Sequence, residues 1–284
     1  MKRRTIALLG LTLVTAALPA LASDGRIEIN QAKALAGSVT PGDGPGFPVQ
    51  INAPGSYVLT SDLDLSVAPS PQNTHGIMVQ TGGVTLDFNG FALRGVTVCT
   101  GQGSTLSCAP LANPGSGYGV YLVGSDIAVR NGTVRGTGGP GIYQGAGSAT
   151  VIEDLVVASC GGPGVFVAGD VRRVRAERNY DVGIRTEMGT VEGCTVLFNR
   201  YEGIRADTAA VVTGNVARGN GAAGIAATSS VVVDNLAQFN EGWQFGLNFC
   251  GWRGNAALDC GALPCQAGPS LQTGINNCDG APCP

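Results

Sequence analysis

Two stretches, Asn179-Tyr-Asp-Val-Gly-Ile-Arg-Thr-Glu187 and Asn199-Arg-Tyr-Glu-Gly-Ile-Arg-Ala-Asp207, repeat one pattern at an offset of 20 residues. The Gly–aliphatic pair inside it recurs at Gly76-Ile77, Gly119-Val120, Gly141-Ile142, Gly164-Val165, Gly183-Ile184, Gly203-Ile204, Gly224-Ile225 and Gly246-Leu247. From Gly119 onward the steps are 22, 23, 19, 20, 21 and 22 residues. So short and sustained a period belongs to a chain wound into stacked coils, each burying its apolar side against its neighbours.

Alternation within each repeat sets what the coils are made of. The residue after the glycine is aliphatic, and two positions on stand Val79, Leu122, Val167, Ala206, Ala227 and Phe249. Period-2 spacing turns both positions inward on a strand. Further strand-like runs follow in mid-repeat, as in Val84–Leu86, Ile127–Val129, Val211–Thr213 and Val231–Val233, then Thr195–Leu197 and Leu236–Ala237. Two or three short strands in a coil of about 20–23 residues leave no room for a helix, so the chain reads as an all-β solenoid. Asn179, Asn199, Asn220 and Asn240 recur at 20, 21 and 20 residues. Stacked at a turn, their amides can satisfy one another and the backbone.

Outside the repeats the sequence is punctuated. Met1-Lys-Arg-Arg4, an apolar run from Ile6 to Leu18 and Ala20-Leu-Ala22 predict a signal peptide over residues 1–22, hence a secreted or periplasmic protein. Residues 23–75 read as an N-terminal cap and a first irregular coil, in which Ile27–Gly37 reads as a helix with Asn30 as N-cap and Gly37 as its stop. The repeats occupy 76–250, broken by a loop insertion at 96–117, and 251–284 form a Cys-rich tail. Nine cysteines suit an oxidising compartment, and their odd number leaves at least one thiol outside an internal disulfide. Short loops favour Cys99–Cys108 and Cys278–Cys283, with Cys250–Cys260 as a third pairing. Cys160 and Cys194 read as small core or turn residues, and His75 as a coil-corner residue. No C-x-x-C pair or histidine neighbour marks a metal site.

Loss of residues 1–22 leaves 14 Lys and Arg against 20 Asp and Glu. That acidic balance excludes nucleic acid and anionic membrane as natural partners, and no further stretch is long and apolar enough to span a bilayer.

The candidate site comes from parity. Residues two after each repeat glycine point outward: Met78, Tyr121, Tyr143, Phe166, Arg185, Arg205, Ala226 and Asn248. Coils about 4.8 Å apart line these into one row. Aromatic faces stack on sugar rings and arginine forks suit carboxylates, so Tyr121, Tyr143, Phe166, Arg185 and Arg205, with Tyr201 beside them, are candidate binding residues for an acidic polysaccharide. Glu187 and Asp207 fall on adjacent coils and could act as acid and base in glycoside hydrolysis; an arginine such as Arg185 or Arg205, or a tyrosine, could instead serve as base in elimination from a uronate. A surface ladder of Arg–carboxylate pairs on a non-catalytic envelope module is the alternative.

The inward ladders, the Asn ladder and the coil length, with Pro54–Leu59 and Val84–Phe91, resemble secreted bacterial right-handed parallel β-helix proteins of the pectate-lyase-like superfamily. That resemblance implies fold more than activity. It would allow a calcium ion among Asp181, Glu187, Glu202 and Asp207. The Asp-Asp and Gly-His-Gly elements of polygalacturonases and the Asp-Pro-His element of alginate epimerases are absent from the sequence.

Overall fold

At the repeat glycines from Gly76 to Gly224 there is no space for a side chain. A Cβ on Gly183 would lie 2.6 Å from the Asn199 amide nitrogen and 2.7 Å from the Gly203 carbonyl oxygen of the next coil. Only a bare Cα lets successive coils close to that distance, which is why glycine marks the period. The structure is a computed structural model that describes residues 25–110, 115–261 and 264–283. The signal-peptide expectation lies outside the described residues.

The coils stack as a right-handed parallel β-helix. One ten-stranded parallel sheet forms the first face, running from Val49–Ile51 through Ile77–Val79, Val120–Val123, Ile142–Ala146, Val165–Val167, Ile184–Thr186, Ile204–Ala206, Ile225–Thr228 and Phe245–Asn248 to Gln266–Ala267. The other strands of each coil join a twenty-stranded sheet that wraps the remaining faces. Strands thus continue on both sides of 76–250. Inward residues Ile77, Val120, Ile142, Val165, Ile184, Ile204 and Ile225 are fully buried in one core. Its large apolar area is the main stabilising term.

Two buried asparagine ladders brace the corners. In the first, Asn179, Asn199 and Asn220 each donate Nδ2 to the Oδ1 of the next asparagine at 2.9–3.0 Å, ending when Asn240 donates to Gln244 Oε1 at 2.6 Å. A second runs through Asn215, Asn235, Asn255 and Asn276. Cys160 and Cys194 sit at the foot of the ladders, donating their N–H groups to Asn179 and Asn215 Oδ1. Burial pushes both thiols up to about 11.

Several expectations need correction. The cap helix is shorter, Gln31–Ala36, although Asn30 and Gly37 do cap it. Ile27–Ile29 is a strand instead, because it supplies the parallel partner of Tyr57–Leu59. Cys260 pairs with Cys265, five residues on, and Cys250 is a buried free thiol. Cys99–Cys108 and Cys278–Cys283 form as expected. In the coil of Phe245 the phase slips. Phe245 pairs with Ile225 and Gly246 with Ala226, so Phe245 and Leu247 point inward while Phe249 is 71% exposed.

The insertion at 96–117 contains an antiparallel hairpin, Val98–Thr100 with Ser107–Ala109, closed by Cys99–Cys108. It runs along the stack rather than around it. Ser104 N–H donates to the Glu241 carboxylate at 3.2 Å, and Arg200 Nη1 donates to the Leu106 carbonyl at 2.6 Å. Tyr180 packs on the hairpin's small apolar cluster, with the Arg200 guanidinium 4.6 Å from its ring centroid. The returning leg sits on the coil of Gln72–His75, where Gly117 and Ser116 bond back to Gln72 and Asn73.

Candidate functional site

Parallel pairing brings the outward row of the first sheet together in the order Met78, Tyr121, Tyr143, Phe166, Arg185, Arg205, Ala226. The next member is Gly246 rather than Asn248, for the phase reason above. Tyr121 and Tyr143 stack with centroids 6.0 Å apart at 23°, and Phe166 meets Tyr143 edge-on at 5.3 Å. Two rings that sequence parity did not select join them. Tyr118, one residue before Gly119, lies 5.0 Å from Tyr143 and 5.2 Å from Tyr121; His75, in the same place on the preceding coil, stacks on Tyr118 at 4.7 Å.

Their chemistry follows from the packing. Tyr118 donates its backbone N–H to His75 Nδ1 at 3.0 Å, so the imidazole is neutral and carries its proton on Nε2. Burial lowers the His75 pKa, consistent with that form. The Tyr118 phenol is pushed up, first by burial and then by Tyr143 and Tyr121. All five rings are only partly buried, leaving an aromatic surface about four coils tall.

At its far end the Arg185 guanidinium lies over Phe166, 4.4 Å from the ring centroid. Arg185 donates Nε and Nη2 to Asp207 Oδ2 at 2.8 and 2.7 Å, and Arg205 donates Nε to Asp207 Oδ1 at 2.8 Å. Burial raises the Asp207 pKa, but the hydrogen bonds and charges of Arg205 and Arg185 outweigh it and hold the carboxyl below its usual range. Asp207 is therefore a fixed carboxylate at neutral pH, a poor proton donor. Glu187 is exposed and forms no ion pair among the described residues. Tyr201 is 49% exposed and meets no other ring among them. Neither is brought into the Arg185–Asp207–Arg205 group.

Beyond Arg205 the row shrinks to Ala226, Gly246 and Ala267, and the face sinks into an open trough of about 420 Å³. Trp243, 43% exposed, walls it, while Glu202, Arg205 and Asp207 stand at one end. Sequence reading missed Trp243 because Gly246 looked like a repeat glycine; the signal was Asn240, four residues ahead of Gln244 just as Asn179 is of Gly183.

For metal ions the described residues offer little. Asp181, Glu187, Glu202 and Asp207 do not converge as a ligand set; the one grouping within reach is Cys260, Cys265 and Asp279, whose sulfurs are joined as a disulfide. No described helix is long and apolar enough to cross a membrane.

A stack of parallel coils with inward aliphatic ladders and a built outward face defines a class, and the comparisons agree. The model of the right-handed beta helix region matches residues 70–241, and the chain belongs to that family. Among solved structures it is similar to the A-module of a mannuronan C-5 epimerase from Azotobacter vinelandii, with 12% identity over 89% of this chain and 92% of that one and a TM-score of 0.50. A periplasmic alginate epimerase is similar over 86% of this chain and 60% of its own, with 12% identity and a TM-score of 0.54. Identity this low speaks for the shared fold alone. No curated protein matches the sequence.

Proposed function

We propose that this protein binds a polysaccharide along the outward face of its first sheet, stacking sugar rings on Tyr118, Tyr121, Tyr143 and Phe166. One observation carries the reading: five partly exposed rings from four successive coils meet in unbroken contact, from His75 to Phe166. Core packing does not need them, since the inward positions beside them are already filled by Val120, Ile142 and Val165. Aromatic faces aligned along one direction suit a linear ligand of repeating rings. The two similar solved structures are named for enzymes that act on mannuronan and alginate, which accords with a polymer on this fold.

Binding fits the geometry better than turnover. A glycosidase of the two-carboxylate type needs one carboxyl kept protonated, whereas Asp207 is held ionised by two arginines and Glu187 lies outside the group. For a signal-led export, periplasm or exterior is where such polymers are met, and the three disulfides suit that setting.

The test is titration of the purified protein against a polysaccharide panel, following intrinsic fluorescence and heat. At least one polymer should bind, and Tyr121→Ala or Tyr143→Ala should weaken it about tenfold while the melting curve holds. If every polymer ignores the parent, or both variants bind as the parent does, the reading fails.

A further inference from the structure

The segment past Phe166 constrains which polymer can lie here. Two guanidiniums occupy it, and the sequence alone presents them as a cationic end. In the folded chain both are turned onto Asp207. Arg205 also feels the negative charges of Glu202 and Asp181. Asp207 and, at the same end of the trough, Glu202 therefore border the two guanidiniums, and Arg185 has spent two of its donors on Asp207 while its plane covers Phe166. A uronate carboxylate that takes Arg185 must displace Asp207, and one that takes the remaining N–H groups of Arg205 meets the negative charges of Asp207 and Glu202 beside it.

Immediately beyond, the trough offers the opposite surface. Its floor is methyl and backbone, from Ala226 and Gly246, and its wall is the indole of Trp243. A volume of about 420 Å³ lies in the range of small-molecule sites. The second tryptophan, Trp252, is buried in the core, so Trp243 is the exposed indole. Hydroxyl groups can donate to carboxylate oxygens and accept from guanidinium N–H groups. A mixed Arg–Asp–Glu set therefore pairs with a neutral sugar, and the indole pairs with its apolar ring face.

We propose that the glycan on this face is uncharged where it crosses Arg205, and that one of its rings lies in the trough against Trp243. This rests on the polysaccharide-binding reading above and names the ligand class that reading leaves open.

Pairs of polymers that share a backbone and differ in charge separate the two. Suitable pairs are a polyuronate with its carboxyl-reduced form, and carboxymethyl cellulose with hydroxyethyl cellulose. Binding is measured on the mature chain with the parent, Tyr143→Ala, Trp243→Ala and Gly246→Leu. A Cβ on Gly246 would sit 3.7 Å from the Ala223 Cβ and 3.8 Å from Trp243 Cε3, ordinary contacts, so Gly246→Leu fills the trough on an intact coil. The expected result is that the neutral member of a pair binds about tenfold or more tightly than its charged partner. Trp243→Ala and Gly246→Leu should each cost about tenfold, with little response to salt. A charged member that binds as tightly as its neutral partner overturns the inference and leaves the reading standing. So do trough variants that bind like the parent while Tyr143→Ala loses affinity. If no member of any pair binds, both fail together.

Discussion

Asn199 Oδ1 accepts two hydrogen bonds from Asn179, one from its backbone N–H and one from its side-chain amide, both at 3.0 Å. Asn199 in turn donates to Asn220 and to the Ala176 carbonyl. Every polar atom of a fully buried side chain is thus committed. Asn199→Ala should remove at least about 2 kcal/mol of stability, because it leaves buried donors and an acceptor unpaired. Asn248→Ala, on an exposed asparagine, should stay within about 0.5 kcal/mol of the parent. Chemical denaturation midpoints check both.

Asp207 gives an acid-side prediction. Its folded pKa lies below the ordinary value of 3.8, so the unfolded chain takes up the proton first as pH falls. The stability it contributes is present above the unfolded pKa and lost as pH drops through the folded one. Asp207→Asn should be less stable than the parent at pH 7, and the gap should close below about pH 4. A constant gap across that range would show that the arginine contacts do not depend on the carboxylate charge.

His75 gives a second pH window with the same sign. Burial lowers its folded pKa below 6.5, so the unfolded state binds the proton more readily. Its contribution is complete above the unfolded pKa and fades as pH falls from there. Since the chain has one histidine, one imidazole signal in the NMR spectrum reports it. That signal should titrate below 6.5, and the Tyr118 amide resonance should move with it, because protonated Nδ1 can no longer accept the 3.0 Å bond.

The cysteines make a prediction by count. Peptide mapping without reductant should return Cys99–Cys108, Cys260–Cys265 and Cys278–Cys283, with Cys160, Cys194 and Cys250 as thiols. Those three should resist alkylation until the chain is denatured, since all are buried and burial holds Cys160 and Cys194 protonated. Labelling of any of them in the native protein would contradict the buried placement.

How far the sequence could be read depended on range. Ile184, Ile204 and Ile225 announce the core because alternation and period are local properties of the chain, and Asn179 to Asn240 announce a ladder because stacked coils repeat their spacing. Asn215, Asn235, Asn255 and Asn276 carried the same signal, but the ladder starts late, with Cys194 in the asparagine position of the coil beneath. Side-chain closure was not legible. Nothing in the order Arg185, Arg205, Asp207 fixes that both guanidiniums turn onto one carboxylate, and nothing in Ser104 foretells Glu241, 137 residues away. Trp243 was hidden by a single decoy: Gly246 imitates the repeat glycine, while Gln244 takes that position and supplies the oxygen that ends the ladder.

The hairpin at Val98–Ala109 changes how such a molecule can come apart. A stack whose layers touch only their neighbours can fray one layer at a time from either end. Here a stapled segment rooted in the layer of Gly95 is bonded to Arg200 and Glu241, far up the stack. Peeling the upper layers must also tear that segment away. The protein is built less like a coil spring than like a spring with a splint tied along its side, and amide exchange in the layers of Arg200 and Glu241 should slow or quicken together with the closure of Cys99–Cys108.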